Sequence, residues 1–333
     1  MRLGLSLLGS LTLDQMARLS TDAEKMNFES VWVAEGTGTD AFAASAMIAQ
    51  NTSTIRIGTD IVSIFTRHPC VLASAAASLD LVSKGRFRLG LGASHSSIVE
   101  NQLGLKYSKP VKRMEETIQL TKRIVAGNEP VSYNGEILNI SNYSLWFKPF
   151  KPDLQIYVAV GGPRMMEVLA KQADGSLFFL KTVKALSSSI DIVRKISAAE
   201  GREIHIGLVV PCALHENTSI AMKSSTKTLA MYISEYEVYQ RSLSEQGFTE
   251  EVSKIIMARK SAIENPEKFV TARLVDDLCL SGNSEDIRTQ MLRFEDAGVD
   301  LLILEPCYIS DEEFEDTVRR TIQLSETLNV LSG

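Results

Sequence analysis

The sequence predicts a (β/α)8 barrel. Three observations point there: eight short runs of strand-forming residues, helical patterns alternating with them, and a chain of 333 residues, long enough for one large α/β domain. The competing architecture, a doubly wound open sheet, usually has fewer strands and a G-x-G-x-x-G turn after the first. The turn here, Leu7-Leu8-Gly9-Ser10, lacks that form.

Residues 3–7 (LGLSL) alternate as a strand does and lead straight into a helix from Thr12, with Leu13, Met16, Ala17 and Leu19 on one side. A short apolar run followed at once by an amphipathic helix reads as a first strand rather than a signal peptide. Residues 30–34 (SVWVA) make strand two, ending at Glu35-Gly36, and residues 41–50 a helix of small side chains. Residues 57–64, rich in β-branched side chains, read as a buried third strand. Thr66-Arg67-His68-Pro69 breaks it, and Pro69 suits the first turn of a tightly packed helix over 71–82 that Lys84-Gly85 closes. Residues 87–91 form strand four. It runs into Gly92, Ala93 and Ser94, residues without bulk that let a flat ligand approach the backbone.

Residues 110–125 have the spacing of an amphipathic helix. Residues 131–152 then carry aromatic and turn residues with a hairpin signal at Asn134-Gly135, a short insertion lying over the next strand. Residues 155–160 (QIYVAV) are strand five, followed by Gly161-Gly162-Pro163-Arg164-Met165 and a helix to Gln172. Strands six, seven and eight fall at 177–180, 205–212 and 300–304, with helices over 185–200, 284–294 and 314–328. Residues 218–270 are helical but too long for one crossover, so they form a second insertion. The whole chain, 1–333, reads as a single domain bearing these two insertions.

Composition narrows the function. A 44% hydrophobic and 23% charged chain is ordinary for a soluble globular protein. A net charge of −6 argues against nucleic acid or a polybasic membrane patch, and no run of about 18 apolar residues exists to span a bilayer. Cys70, Cys212, Cys279 and Cys307 are scattered without a Cys-x-x-Cys, which fits a reducing cytoplasm and no metal site. The expected partner is a small molecule.

In a barrel the ligand lies at the carboxyl ends of the strands, which makes Ser6, Glu35, Gly92, Ala93, Ser94, Val160 and Glu305 candidates. Gly161-Gly162-Pro163 stands between a strand and a helix, so free N–H groups and the positive helix end offer an anion site, with Arg164 as charge partner and Met165 beside it. His95, just past strand four, is either an acid–base group near neutral pH or an exposed loop histidine. Glu305 either binds substrate or forms a rim salt bridge. Tyr232, Tyr236 and Tyr239 have helical spacing and read as packing or a dimer face.

Several motifs carry a resemblance. Thr66-Arg67-His68-Pro69, Gly85-Arg86, Leu89-Gly90-Leu91-Gly92, Gly162-Pro163-Arg164-Met165 and Ala173-Asp174-Gly175 resemble the luciferase-like monooxygenase superfamily. Within it they are similar to the coenzyme F420-dependent branch of the methylenetetrahydromethanopterin reductases. The resemblance spans nearly the whole chain. It implies a barrel with insertions, a flavin-type cofactor at the strand ends (coenzyme F420, or alternatively FMN), hydride transfer and a homodimer. It also implies cofactor phosphate at Gly161-Gly162-Pro163. A strand-three bulge with a non-prolyl cis peptide is implied behind the ring, at Asp60-Ile61 and running into Val62. Asp60 there could bond a ring edge or disfavour an anionic deazaflavin. The branch ends strand two with an acid and a histidine; this chain has Glu35 and Gly36, which makes Glu35 and His95 the catalytic candidates. Three readings follow: an F420-dependent oxidoreductase, an FMN-dependent monooxygenase, or a flavin-binding barrel without turnover, the last suggested by Gly36.

Overall fold

The computed structural model describes residues 1–36, 38–127, 129–261, 264–310 and 312–329. Strand β1 (Arg2–Leu7) leads to helix α1 (Leu13–Lys25), which Thr12 and Gln15 cap reciprocally. β2 (Ser30–Val33) leads to α2 (Ala41–Asn51), capped by the Asp40 carboxylate. The third strand comes in two pieces, β3 (Arg56–Thr59) and β4 (Val62–Ser63). Between them lies a cis peptide joining Asp60 and Ile61, so the continuous strand expected over 57–64 is interrupted at the place the resemblance indicates. Ile61 leaves the ladder and packs over Gly92, where a Cβ would stand 2.0 Å from its Cδ1.

α3 (Pro69–Ser83) begins with His68 Nδ1 accepting from the Cys70 N–H and ends at Lys84 and Gly85, both at positive φ. β5 (Phe87–Gly92) and α4 (Pro110–Ala126) precede a hairpin of β6 (Val131–Asn134) and β7 (Asn139–Tyr143). The hairpin sits against α4 rather than over the next strand, β8 (Ile156–Ala159), because the buried Glu116 carboxylate accepts the N–H groups of Glu136, Ile137 and Leu138. Glu116→Ala is therefore expected to lower stability by about 3 kcal/mol, since three donors lose a charged acceptor. Urea unfolding measures this. A loss under about 0.5 kcal/mol would show that water replaces the carboxylate.

α5 (Pro163–Gln172), β9 (Gly175–Phe179), α6 (Val183–Ala199) and β10 (His205–Leu214) follow. The helical region consists of α7 (Thr218–Glu235), α8 (Glu237–Leu243), α9 (Thr249–Ser261) and α10 (Ala272–Leu278). A short β11 (Leu280–Gly282), which the sequence pattern does not reveal, pairs in parallel with the carboxyl end of β10. α11 (Ser284–Asp296), β12 (Leu301–Pro306) and α12 (Phe314–Asn329) complete the chain.

Eight parallel strands close a ring in the order β1-β2-β3-β5-β8-β9-β10-β12, with β12 returning to β1. Trp32, Tyr157, Leu177, Val209, Leu301 and Ile303 fill its interior, and Trp32 meets Tyr157 edge-on at 5.1 Å. Side chains two residues on point the same way. Phe179 and Glu305 therefore form the next layer towards the carboxyl ends, beside Ser6, which is in register with Trp32.

Candidate active site

A cavity of about 650 Å³ opens at the carboxyl ends of β5, β8 and β9, within the range of cofactor sites. Two other clefts, among Asp14, Arg18, Lys25 and Arg319 and among Arg56, Arg88 and Lys151, lie away from these strand ends. The cavity gathers most of the residues the sequence singles out: Ile61, Gly92, Ala93, Ser94, His95, Val160, Gly161, Gly162, Pro163, Arg164 and Met165. Ser6, Glu35, Asp60, Val62 and Glu305 lie outside its lining.

One wall is flat. Ile61 and Gly92 meet there with no room for a larger residue at 92. A second wall is an uncapped helix end. Gly162 caps α5 with no side-chain hydrogen bond, Pro163 takes the first helical position, and a Cβ on Gly162 would meet no atom within 4 Å. The space beside these N–H groups suits an anion. Arg164 and Arg241 line the cavity and form no ion pair among the described residues. Lys181 donates to Ser242 Oγ at 3.4 Å, and burial holds its ammonium below the usual lysine pKa. A flat ring against Ile61 and Gly92, with phosphate at Gly161–Arg164, fits these residues.

The third wall is aromatic. His95 stacks on Tyr236 at 4.2 Å and meets Tyr239 edge-on at 5.5 Å, and Phe179 meets Tyr232 and Tyr239. Burial lowers the His95 pKa below its ordinary value, so its imidazole is neutral at pH 7. The tyrosine series turns into the barrel mouth instead of forming an outer dimer face. Sequence reading saw its spacing but could not orient it. Lys181 and Arg241 were missed as well; Lys181 follows β9 by two residues, so the strand-end rule could have found it.

Two acids occupy the mouth beside the cavity. Ser6 Oγ donates to Asp60 Oδ2 at 3.2 Å, and Tyr232 Oη donates to Glu305 Oε1 at 2.6 Å. Glu305 thus meets a tyrosine and not the cation of a rim salt bridge. Burial pushes the Asp60 pKa up to about 6. Burial, with the charge of Asp60 adding to it, pushes Glu305 up to about 7 against the pull of the Tyr232 hydrogen bond. Unfolded carboxyls titrate near 4, at roughly 3.9 to 4.3. These two groups therefore hold extra protons in the folded chain between about 4 and about 7, and their contribution to stability falls as pH rises through that window. Glu305→Gln is expected to flatten this fall, read from urea midpoints measured across the window. An unchanged slope would mean that Glu305 does not hold a proton.

Glu35 is engaged elsewhere. Arg67 Nη2 donates to it at 2.6 Å and to Asp40 at 2.6 Å, while the Arg67 guanidinium lies over Phe42. Beside it, a Cβ on Gly36 would meet nothing within 4 Å, so the position expected to carry histidine is open space. Val62 is buried in β4.

Comparisons with known proteins agree with the fold. Residues 1–301 match the model of a family described as luciferase-like monooxygenase. A Mycobacterium tuberculosis protein named as a coenzyme F420-dependent oxidoreductase is 26% identical, over 91% of this chain and 94% of its own. The 5,10-methylenetetrahydromethanopterin reductase of Archaeoglobus fulgidus is 24% identical, over 83% and 85%. Among solved structures, the coenzyme F420-dependent tetrahydromethanopterin reductase of Methanopyrus kandleri superimposes with a TM-score of 0.84 over 97% of both chains at 19% identity.

Proposed function

Because this chain belongs to the luciferase-like monooxygenase family, whose members here are oxidoreductases and monooxygenases, we propose that it is a coenzyme F420-dependent oxidoreductase acting on a small organic substrate. The observation that carries this reading is the pairing of the close-packed Ile61–Gly92 wall with a helix end lacking a side-chain cap at Gly161–Arg164 in one cavity. When bound, the deazaflavin supplies hydride chemistry. The protein's groups hold and orient it. Gly92 and Ile61 press one ring face, leaving the other to the substrate. The N–H groups before α5 and the Arg164 guanidinium hold the phosphate. Ala93, Ser94 and Val160 border the ring. His95, clamped by Tyr236 and Tyr239, is placed to hydrogen-bond and orient the substrate, while Glu35 fixes Arg67 at the rim.

We read the reaction as cytoplasmic, the four cysteines being free. A homodimer would use the exposed apolar side chains of α3 and the insertion, Val71, Val82, Phe147 and Phe150; Tyr143 Oη bonds Cys70 O and Phe150 packs by Gly85, which joins the two segments. Phe150→Glu, with Phe150 about half exposed at 51%, is expected to give monomer in sedimentation; an undisturbed dimer would place the interface elsewhere.

Anaerobic mixing with reduced coenzyme F420 and a panel of carbonyl and imine compounds, followed by deazaflavin absorbance, tests the reaction. Turnover with F420 supports the reading. Oxygen consumption with reduced FMN, and none with F420, would replace it by the monooxygenase reading that the family description also covers.

A further inference from the structure

The cavity accounts for one half of the barrel mouth. The other half holds Ser6, Asp60 and Glu305 under Tyr232 and Tyr239. Glu305 is 6% exposed, accepts one hydrogen bond from Tyr232 and meets no cation among the described residues. Asp60 keeps part of its surface open, accepts from Ser6, and likewise has no cation partner there. Leu5 of β1 pairs with Leu304 of β12, which sets Ser6, the hydrogen-bond donor to Asp60, alongside Glu305, so one serine adjoins both acids. Tyr239 and Ile61, the neighbour of Asp60, both line the cavity. The remaining titratable groups around Glu305 are the thiols of Cys279 and Cys307, which burial keeps protonated. His95 stands across Tyr239 and is neutral.

Two carboxyl groups with no cation between them resist ionising together and titrate as a pair. We propose that Asp60 and Glu305 are one proton-sharing pair, in which Asp60 exchanges a proton with a nitrogen or oxygen of the ligand and Glu305 sets how firmly Asp60 holds it. The inference rests on the hydride-transfer reading. In the reducing direction, a substrate carbon would take a hydride, with its two electrons, supplied by the reduced deazaflavin when bound. The π pair of that carbon's double bond moves to the adjacent heteroatom, which takes the proton of the Asp60 carboxyl. The Asp60 O–H bond breaks and a carboxylate remains, reprotonated from solvent through the mouth. The reverse direction returns that proton to Asp60. Asp60 is then the catalytic acid and Glu305, with Tyr232, its positioning residue, and the pair takes the part that the open space at Gly36 leaves unfilled.

Infrared titration of the purified protein, following the carbonyl stretch of protonated carboxylic acid, tests the pair. Asp60→Asn and Glu305→Gln should each remove one component. In Glu305→Gln the Asp60 midpoint should fall by on the order of one pH unit, the coupling expected of such a pair. Tyr232→Phe, which keeps the ring and loses the donor, should raise the Glu305 midpoint. Oxidised coenzyme F420 is then added, with binding followed separately by fluorescence. The Asp60 component should shift in the wild type, and the shift should be missing in Asp60→Asn. An Asp60 midpoint indifferent to Glu305→Gln, or a bound coenzyme that leaves the band unmoved, would overturn the inference and leave the cofactor reading intact. A coenzyme that does not bind at all would overturn the cofactor reading, and with it the ligand-facing role of Asp60.

Discussion

Gly92→Val is expected to weaken coenzyme F420 binding by about 100-fold or more, some 2.7 kcal/mol, while the barrel still folds. The reason is steric. The first atom added at position 92 lands 2.0 Å from Ile61 Cδ1 and 2.6 Å from Cγ1. Ile61 is a cavity wall, so it yields by moving into the volume the ring would take. Overpacking of this kind costs about 1–3 kcal/mol of stability, which a chain this size can absorb. Fluorescence titration and a thermal melt measured together separate the two effects. Binding within about threefold of wild type, a difference under about 0.7 kcal/mol, would place the ring elsewhere.

Arg164→Glu is expected to have a loss of the same order, with a different signature. A charge-assisted hydrogen bond to phosphate is worth about 1.5–3 kcal/mol, and the new carboxylate adds repulsion at the helix end. Arg164 forms no ion pair among the described residues, so removing it strands no partner and the fold should be unaffected. Because the effect is electrostatic, added salt should narrow the gap between variant and wild type, whereas it should leave the Gly92→Val defect unchanged. An affinity unmoved by Arg164→Glu would remove the phosphate from Gly161–Arg164.

Much of this architecture was legible in the sequence, for local reasons. Strand ends such as Gly92-Ala93-Ser94 and the Gly162-Pro163 helix start announce themselves through residues whose backbone behaviour is narrow. Lys84-Gly85 marked the end of α3 for the same reason, and both residues take positive φ. The break at Asp60-Ile61 came only from the family resemblance, since its β-branched run reads as one strand. Contacts distant in sequence stayed hidden. Tyr232 meets Glu305 across 73 residues and Arg67 meets Glu35 across 32, and no periodicity records which face of α7 turns into the mouth. The three-residue β11 was invisible because it is shorter than any pattern that could identify it.

The measurement that bears most directly on the account is a titration of the purified protein with coenzyme F420 and, separately, with FMN, followed by fluorescence. Saturable F420 binding, far tighter than FMN binding and weakened by Gly92→Val and Arg164→Glu, is the expected result. Tight FMN binding with none to F420 would contradict it, and binding of neither would mean that this barrel holds a different ligand.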